Sequence, residues 1–344
     1  GQNTQTRDLA DALRAKYILS GSVRQVGQRI RVSVQLVDAG SDSTIWSDRY
    51  DGDLSDIFEV QDEITAKAVA AIAPQAHHAE ISAAARKETT SLTDWERVMR
   101  ARWHMGKYSR DDANAALDIL RQVVETTPDL AIAHSSIALC HYHKMLNTWG
   151  DDPGDEIRIA GEAARRAVGF DAYDANALAV LGLSGMFQGK FDDSRELLED
   201  AVAKNPNLAN GYGFMCDLYG VQGDLALALE YYDRANFLSP ADPTRTLWMS
   251  GKGIGLILNR QYEAAAENAD RMLRIEPSYG PALRQKACAL SYMGRDDAAR
   301  QAMAQVLQYM PNLTATRLAR MIPVAGPDNQ EHWLNGLRQA GLPD

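Results

Sequence analysis

A chain of 344 residues with 45% apolar and 24% charged residues has a globular composition, and length for two domains or for one domain and a repeat array. Its 36 Lys and Arg against 46 Asp and Glu give a net charge of −10, and the basic residues are scattered among acids, which argues against a nucleic-acid-binding surface. Apolar runs such as Ala68 to Ala73 and Gly253 to Leu258 are far too short to span a bilayer, and no secretory signal is expected in the opening residues.

The chain opens on Gly1 and not on Met, so it is expected to be a piece of a longer protein. Leu9, Ala12 and Leu13 mark a short helix. Residues 17–26 and 29–38 read as two strands around Gly27-Gln28, a two-residue hairpin turn. In the second strand Ile30, Val32, Val34 and Leu36 alternate with Arg31, Ser33 and Gln35, so one face is expected to be buried. Residues 44–50 suggest a third strand. From Ser55, Ile57, Val60, Ile64 and Ala68 keep helical spacing towards Arg86, with a break at Pro74. Residues 1–90 are therefore expected to form an α/β module.

Beyond residue 90 the prolines supply a ruler. Pro206, Pro240, Pro277 and Pro311 are spaced by 34, 37 and 34 residues, and 34 is the period of a helix–turn–helix repeat. Upstream, Ala172 stands where the next proline would fall. Pro128 lies a further 44 residues back, with the excess assigned to a loop over Asn147 to Glu156. Gly189, Gly223 and Gly294 each precede a ladder proline by seventeen residues, where the first helix of a pair must end in a left-handed residue. Arg260 holds that position in the remaining repeat. Twelve residues before the prolines stand Ser194, Ala228, Ala265 and Ala299, and on the first helices Gly182, Cys216, Gly253 and Ala287 recur in phase. Small residues on both helices admit close approach, and Leu181, Met215, Leu198, Tyr232, Met272 and Met303 fill the next contacts. Over 91–312 the period allows about six helix pairs. The match is carried upstream of residue 170 by Trp95, Ala116, Leu120, Ala160 and Ala164.

Residues 313–344 are expected to be capping helices. Asp328 and Glu331 have capping-box spacing, Trp333, Leu334 and Leu337 form an apolar face, and Gly341-Leu342-Pro343 stops the helix.

These small, aromatic and proline positions resemble the tetratricopeptide-repeat (TPR) family, which implies a mainly α fold, an alpha-alpha superhelix preceded by the small module. Three segments, Tyr17-Ile18-Leu19-Ser20-Gly21-Ser22-Val23-Arg24, Ile45-Trp46-Ser47-Asp48-Arg49-Tyr50-Asp51 and Asp56 to Ile64, are similar to the module resembling the TolB amino-terminal domain. That module precedes TPRs in bacterial class III adenylate/guanylate cyclases and follows winged-helix domains in some transcriptional regulators. The ending Leu334 to Asp344 also resembles cyclase-linked TPR proteins. In that family further strands and a helix come before the point where this chain begins, so the resemblance implies a truncated module and an upstream output domain.

Chemical motifs are sparse. Cys140-His141-Tyr142-His143 is a local cluster of metal-ligand types, but residues two apart on a helix face different ways, so no metal is expected. Gly251-Lys252-Gly253-Ile254-Gly255 partly matches a phosphate loop yet lacks its Ser/Thr and preceding strand, so helix packing is the better account. His77-His78 reads as solvated. Asp111-Asp112, Asp151-Asp152 and Asp192-Asp193 sit at helix starts or in a loop, where the helix dipole favours carboxylates. Cys140, Cys216 and Cys288 are an odd number set far apart, as expected of buried thiols in a reducing cytoplasm. No catalytic residue and no cofactor site emerge.

The TPR resemblance implies that the first helices line a concave groove for a protein or peptide ligand. In phase there stand His143, Phe187, Val221, Leu258 and Tyr292, flanked by Leu139, Leu183, Asp217, Ile254 and Cys288. Part of this apolar stripe can equally be interhelix core. Phe187 and Tyr292 are the candidate anchors, and the Asn and basic residues that clamp a terminal carboxylate in some TPRs are missing in register. The favoured function is a non-catalytic, cytoplasmic interaction region regulating a cyclase. A winged-helix regulator and a free-standing scaffold remain alternatives, and an enzyme is a distant third.

Overall fold

A computed structural model describes residues 15–41, 43–53, 92–107, 109–147, 149–240, 242 and 245–344, together with residues 10, 76, 79–81 and 84. The predicted helix from Ser55 to Arg86, the short helix at Leu9 to Leu13 and His77-His78 fall wholly or largely outside these residues. The chain divides into two compact units, residues 1–89 with 237–239, and residues 90–236 with 240–344.

In the first unit, β1 (Tyr17–Val26), β2 (Arg29–Asp38) and β3 (Ser43–Asp53) form an antiparallel sheet in the order β1-β2-β3. The β1–β2 register runs from Tyr17 opposite Asp38 to Val26 opposite Arg29. Gly27 takes φ 63°, the left-handed conformation that a two-residue hairpin needs. Ile30, Val34 and Leu36 are buried, as the alternation predicts, and Val37 joins them where a bulge interrupts the β2–β3 register. Leu19, Val23 and Val26 of β1 are exposed.

The second unit is a row of helical hairpins: α1 (Asp94–Met105) with α2 (Arg110–Thr126), α3 (Ala131–Leu146) with α4 (Pro153–Phe170), and α5 (Ala175–Phe187) with α6 (Phe191–Lys204). Next come α7 (Ala209–Gln222) with α8 (Leu225–Leu238), α9 (Arg245–Leu258) with α10 (Tyr262–Ile275), and α11 (Gly280–Tyr292) with α12 (Asp296–Tyr309). Each first helix packs on the next, α1 on α3, α3 on α5, α5 on α7, α7 on α9 and α9 on α11, so one continuous face is built from first helices.

The ladder prolines each stand two residues past a second helix, where the chain cannot remain helical. Gly189, Gly223 and Gly294 have φ of 74°, 79° and 70°. Arg260 obeys the same geometry at φ 60°, and it is the non-glycine residue with positive φ among the described residues. Ser194, Ala228, Ala265 and Ala299 are fully buried. A Cβ on Gly182 would stand 2.9 Å from Leu198 Cγ and 3.1 Å from the Ser194 carbonyl, so the small residue lets the pair close.

Three expectations need correction. The loop assigned to Asn147–Glu156 is shorter, because Pro153 opens α4 and Asp152 caps it by accepting from the Gly154 and Asp155 amides at 2.7 and 3.1 Å. Trp95 is 44% exposed, unlike Ala116, Leu120, Ala160 and Ala164, which are buried. The capping box at Asp328 does not form: Pro327 takes the first helical position of α14 (Pro327–Gln339), and Gly326 caps it without a side-chain bond.

Candidate functional site

The face of first helices is tightly made between α7 and α9. A Cβ on Gly213 would enter the Trp248 indole, one on Gly220 would enter the Gly251 carbonyl, and one on Gly251 would meet Asp217. Cys216 Sγ donates to the Trp248 carbonyl at 3.3 Å. Gly251 and Gly255, from the segment that partly matches a phosphate loop, lie inside α9 and face α7. Glycine spacing here serves backbone-to-backbone packing.

Of the eight candidate groove residues, His143, Leu183, Phe187, Val221, Asp217, Ile254 and Leu258 are buried and Tyr292 is half-buried. Phe187 packs on Tyr142 with ring centroids 5.0 Å apart, and Tyr142 lies 6.1 Å from His143. Burial drives the His143 imidazole down to about 4, so it is neutral near pH 7. Burial holds the Asp217 carboxyl well above the usual carboxylate range, against the lowering effect of the Gly251 amide. Asp217 thus sits where α7 and α9 approach backbone to backbone.

Val221 and Tyr292 meet another part of the chain. After α12, a short helix α13 (Ala315–Met321) and then α14 follow. α14 packs on α11 and α9, and Ala325 just before it donates its amide to the Val221 carbonyl at 2.9 Å. Tyr292 stacks on His332 at 4.5 Å and donates its hydroxyl to the His332 carbonyl at 2.7 Å. Ser291 Oγ donates to the Gly336 carbonyl at 2.7 Å. α13 packs on α4, and Arg317 reaches the Asp151 carbonyl at 3.1 Å. The carboxyl-terminal segment thus lies along the first helices of the last three pairs and touches the second.

One polar cluster escaped the sequence reading. His141 Nδ1 and Glu156 Oε2 are 2.5 Å apart, and Lys144 Nζ lies 3.2 Å from Glu156 Oε1, all three largely buried. Burial alone would raise the Glu156 carboxyl, but the His141 hydrogen bond and Lys144 charge outweigh it and lower it. The signal in the sequence is weak, because Glu156 stands fifteen residues from His141 in a stretch rich in Gly, Asp and Pro. Among the described residues no group of three His, Cys, Asp or Glu could hold a metal, and no helix is long and apolar enough to cross a membrane. Cys140, Cys216 and Cys288 are free and buried.

No protein-family model matches the sequence. Over 197 residues it is 28% identical to a Rhizobium meliloti (strain 1021) protein named "Putative adenylate cyclase 3", covering 56% of this chain and 33% of that protein. The chain therefore spans about a third of the length of that curated relative. Two solved structures share the fold at low identity. The human IFIT1 dimer with m7Gppp-AAAA has a TM-score of 0.53 at 13% identity, over 72% of this chain and 59% of that one. The APC/C hetero-tetramer Cut9-Hcn1 has a TM-score of 0.51 at 15% identity, over 74% and 47%. With its six hairpins, its 34-residue period and its left-handed residue between the helices of each later pair, the chain carries a tetratricopeptide-repeat fold, alongside a small amino-terminal sheet.

Proposed function

We propose that this chain is a non-catalytic interaction region that binds a protein or peptide segment along its first helices and regulates an attached cyclase domain in a bacterial signalling protein. The observation that carries the reading is the continuous face of α1, α3, α5, α7, α9 and α11, an extended surface of the kind solenoids offer to partners. Its in-phase residues His143, Phe187, Val221, Leu258 and Tyr292 would line or support that surface, with Leu183, Asp217 and Ile254 behind them. The net charge of −10 favours a protein ligand over a nucleic acid. The likeness to the Rhizobium protein favours a cyclase over a winged-helix domain as the attached output, and a cytoplasmic setting agrees with the three free thiols.

The test uses the complete protein that contains this chain. Cyclic-nucleotide formation from ATP and from GTP is measured in the wild type and in a Tyr292→Ala variant. The reading expects product from the complete protein, none from this chain alone, and a rate altered about fivefold or more by the substitution. Turnover by this chain alone, or an unaltered rate in the variant, overturns it.

A further inference from the structure

The segment from Ala325 to the end of α14 is seated on the first helices as a bound helix would be. His332 stacks on Tyr292, which itself stacks on Tyr262 at 4.8 Å; the His332 Nε2 is 3.2 Å from the Tyr262 hydroxyl, and it also bonds to the Ile257 backbone. Trp333 and Leu337, four residues apart on one face of α14, are 1% and 0% exposed. A Cβ on Gly336 would lie 2.5 Å from Cys288 Sγ and 2.5 Å from the Tyr292 ring, so only a glycine lets the helix come this close. An amphipathic helix laid into an apolar groove with anchors one turn apart is a recurring recognition mode.

Four features mark this helix as an exchangeable occupant. Its entry is a turn through Pro323, Gly326 at φ 83° and Pro327, with no side-chain cap on α14. Beside the buried anchors, three of the groove's hydrogen bonds go to its backbone: the carbonyls of His332, Trp333 and Gly336 accept from Tyr292, Cys288 and Ser291. Such bonds recognise a helix of suitable shape more than one sequence. The ion pairs of Arg338, to Glu331 at 3.0 Å and to Asp344 at 2.7 Å, stay within the segment. The fit is also imperfect, because the Trp333 indole N–H and the Gln330 amide nitrogen are buried with no hydrogen-bond partner among the described residues.

We propose that the groove of α7, α9 and α11 is a helix-binding site whose resting occupant is the chain's own α14. The partner that displaces it is an amphipathic helix with an aromatic residue, a leucine next to it, a glycine three residues on and a leucine four residues on, the pattern of Trp333, Leu334, Gly336 and Leu337. This rests on the reading that the first helices form the interaction surface, and it adds which ligand they take and that the ligand must compete. α14 therefore acts as a built-in gate on partner binding.

Two measurements on the full chain test it. Hydrogen exchange in the wild type is expected to show α14 amides exchanging by local opening, about a hundredfold or more faster than those of α9 and α11. A fluorescein-labelled peptide of residues 326–344 is expected to bind a Trp333→Ala variant about tenfold or more tighter than the wild type, because the variant's own helix occupies the groove for less of the time. Exchange of α14 together with α9 and α11 overturns the proposal even if the variant fails to fold, since it makes α14 permanent core. A freely opening α14 with equal peptide affinity in both proteins overturns it as well. Either failure concerns helix exchange alone, because photo-crosslinking of a partner at Phe187, away from the α14 contacts, tests the wider reading separately.

Discussion

The Tyr292 ring lies on the His332 ring at 4.5 Å with 11° between their planes, and its hydroxyl donates to the His332 carbonyl at 2.7 Å. One residue thus ends the last first helix and clamps a segment 40 positions later. The half-buried phenol is pushed up to about 12, chiefly by burial, so it remains a donor at every physiological pH. Tyr292→Phe keeps the stack and removes the hydrogen bond. It is expected to cost about 1 kcal/mol in urea unfolding, and an unchanged midpoint would show that the bond contributes nothing.

Arg260 holds a left-handed conformation that the neighbouring repeats give to Gly189, Gly223 and Gly294, with φ 60° against 70–79°. The repeat geometry imposes the angle, and a side chain there is strained by about 1 kcal/mol. Arg260→Gly is therefore expected to stabilise the chain by roughly 0.5–1 kcal/mol, after allowance for the greater chain entropy of glycine. A thermal midpoint that falls would show that the arginine side chain contributes more than the strain costs.

Ala228 is fully buried at the position that is Ser194, Ala265 and Ala299 in its neighbours. Ala228→Leu adds three carbons where the repeat keeps small residues, and should cost about 1–3 kcal/mol by overpacking. Wild-type stability in urea would mean that this position is not a tight interhelix contact.

His143 gives the stability a pH dependence of definite sign. Its folded pKa of about 4 is below the ordinary 6.5, so the unfolded state binds the proton first as pH falls. The stability carried by the neutral ring is complete above pH 6.5 and is lost progressively down to about pH 4. Between pH 7.5 and pH 5 the loss should be about 2 kcal/mol, and His143→Gln should remove that part of the slope. Equal slopes in the two proteins would place the acid sensitivity elsewhere.

The fold was legible where the sequence repeats itself. Pro206, Pro240, Pro277 and Pro311 mark the ends of second helices, and the glycines seventeen residues before three of them mark the turns, because both residue types act through local backbone geometry. Arg260 shows the limit of reading by residue type, since its position in the period decided the angle. The course of the carboxyl-terminal segment was not legible. Its contacts, such as Ala325 to Val221 and Arg317 to Asp151, join residues more than a hundred apart, and no local pattern encodes them. Asp328 misled for a local reason: Pro327 is the better first helical residue, and it set the start of α14 two positions too early for the capping box. The groove positions were found in phase. Whether each meets a ligand or a neighbouring helix depends on packing that periodicity alone does not specify.

The central claim is that the face of first helices receives the partner. The direct measurement is site-specific photo-crosslinking in the complete protein, with a benzophenone amino acid in place of Phe187 or Tyr292 and, as controls, in place of Glu196 or Glu199 on the second helix α6. The account predicts that one partner segment, identified by mass, is captured from position 187, and from position 292 in exchange for α14, and from neither control. Capture of the same segment at equal yield from the α6 positions would contradict it.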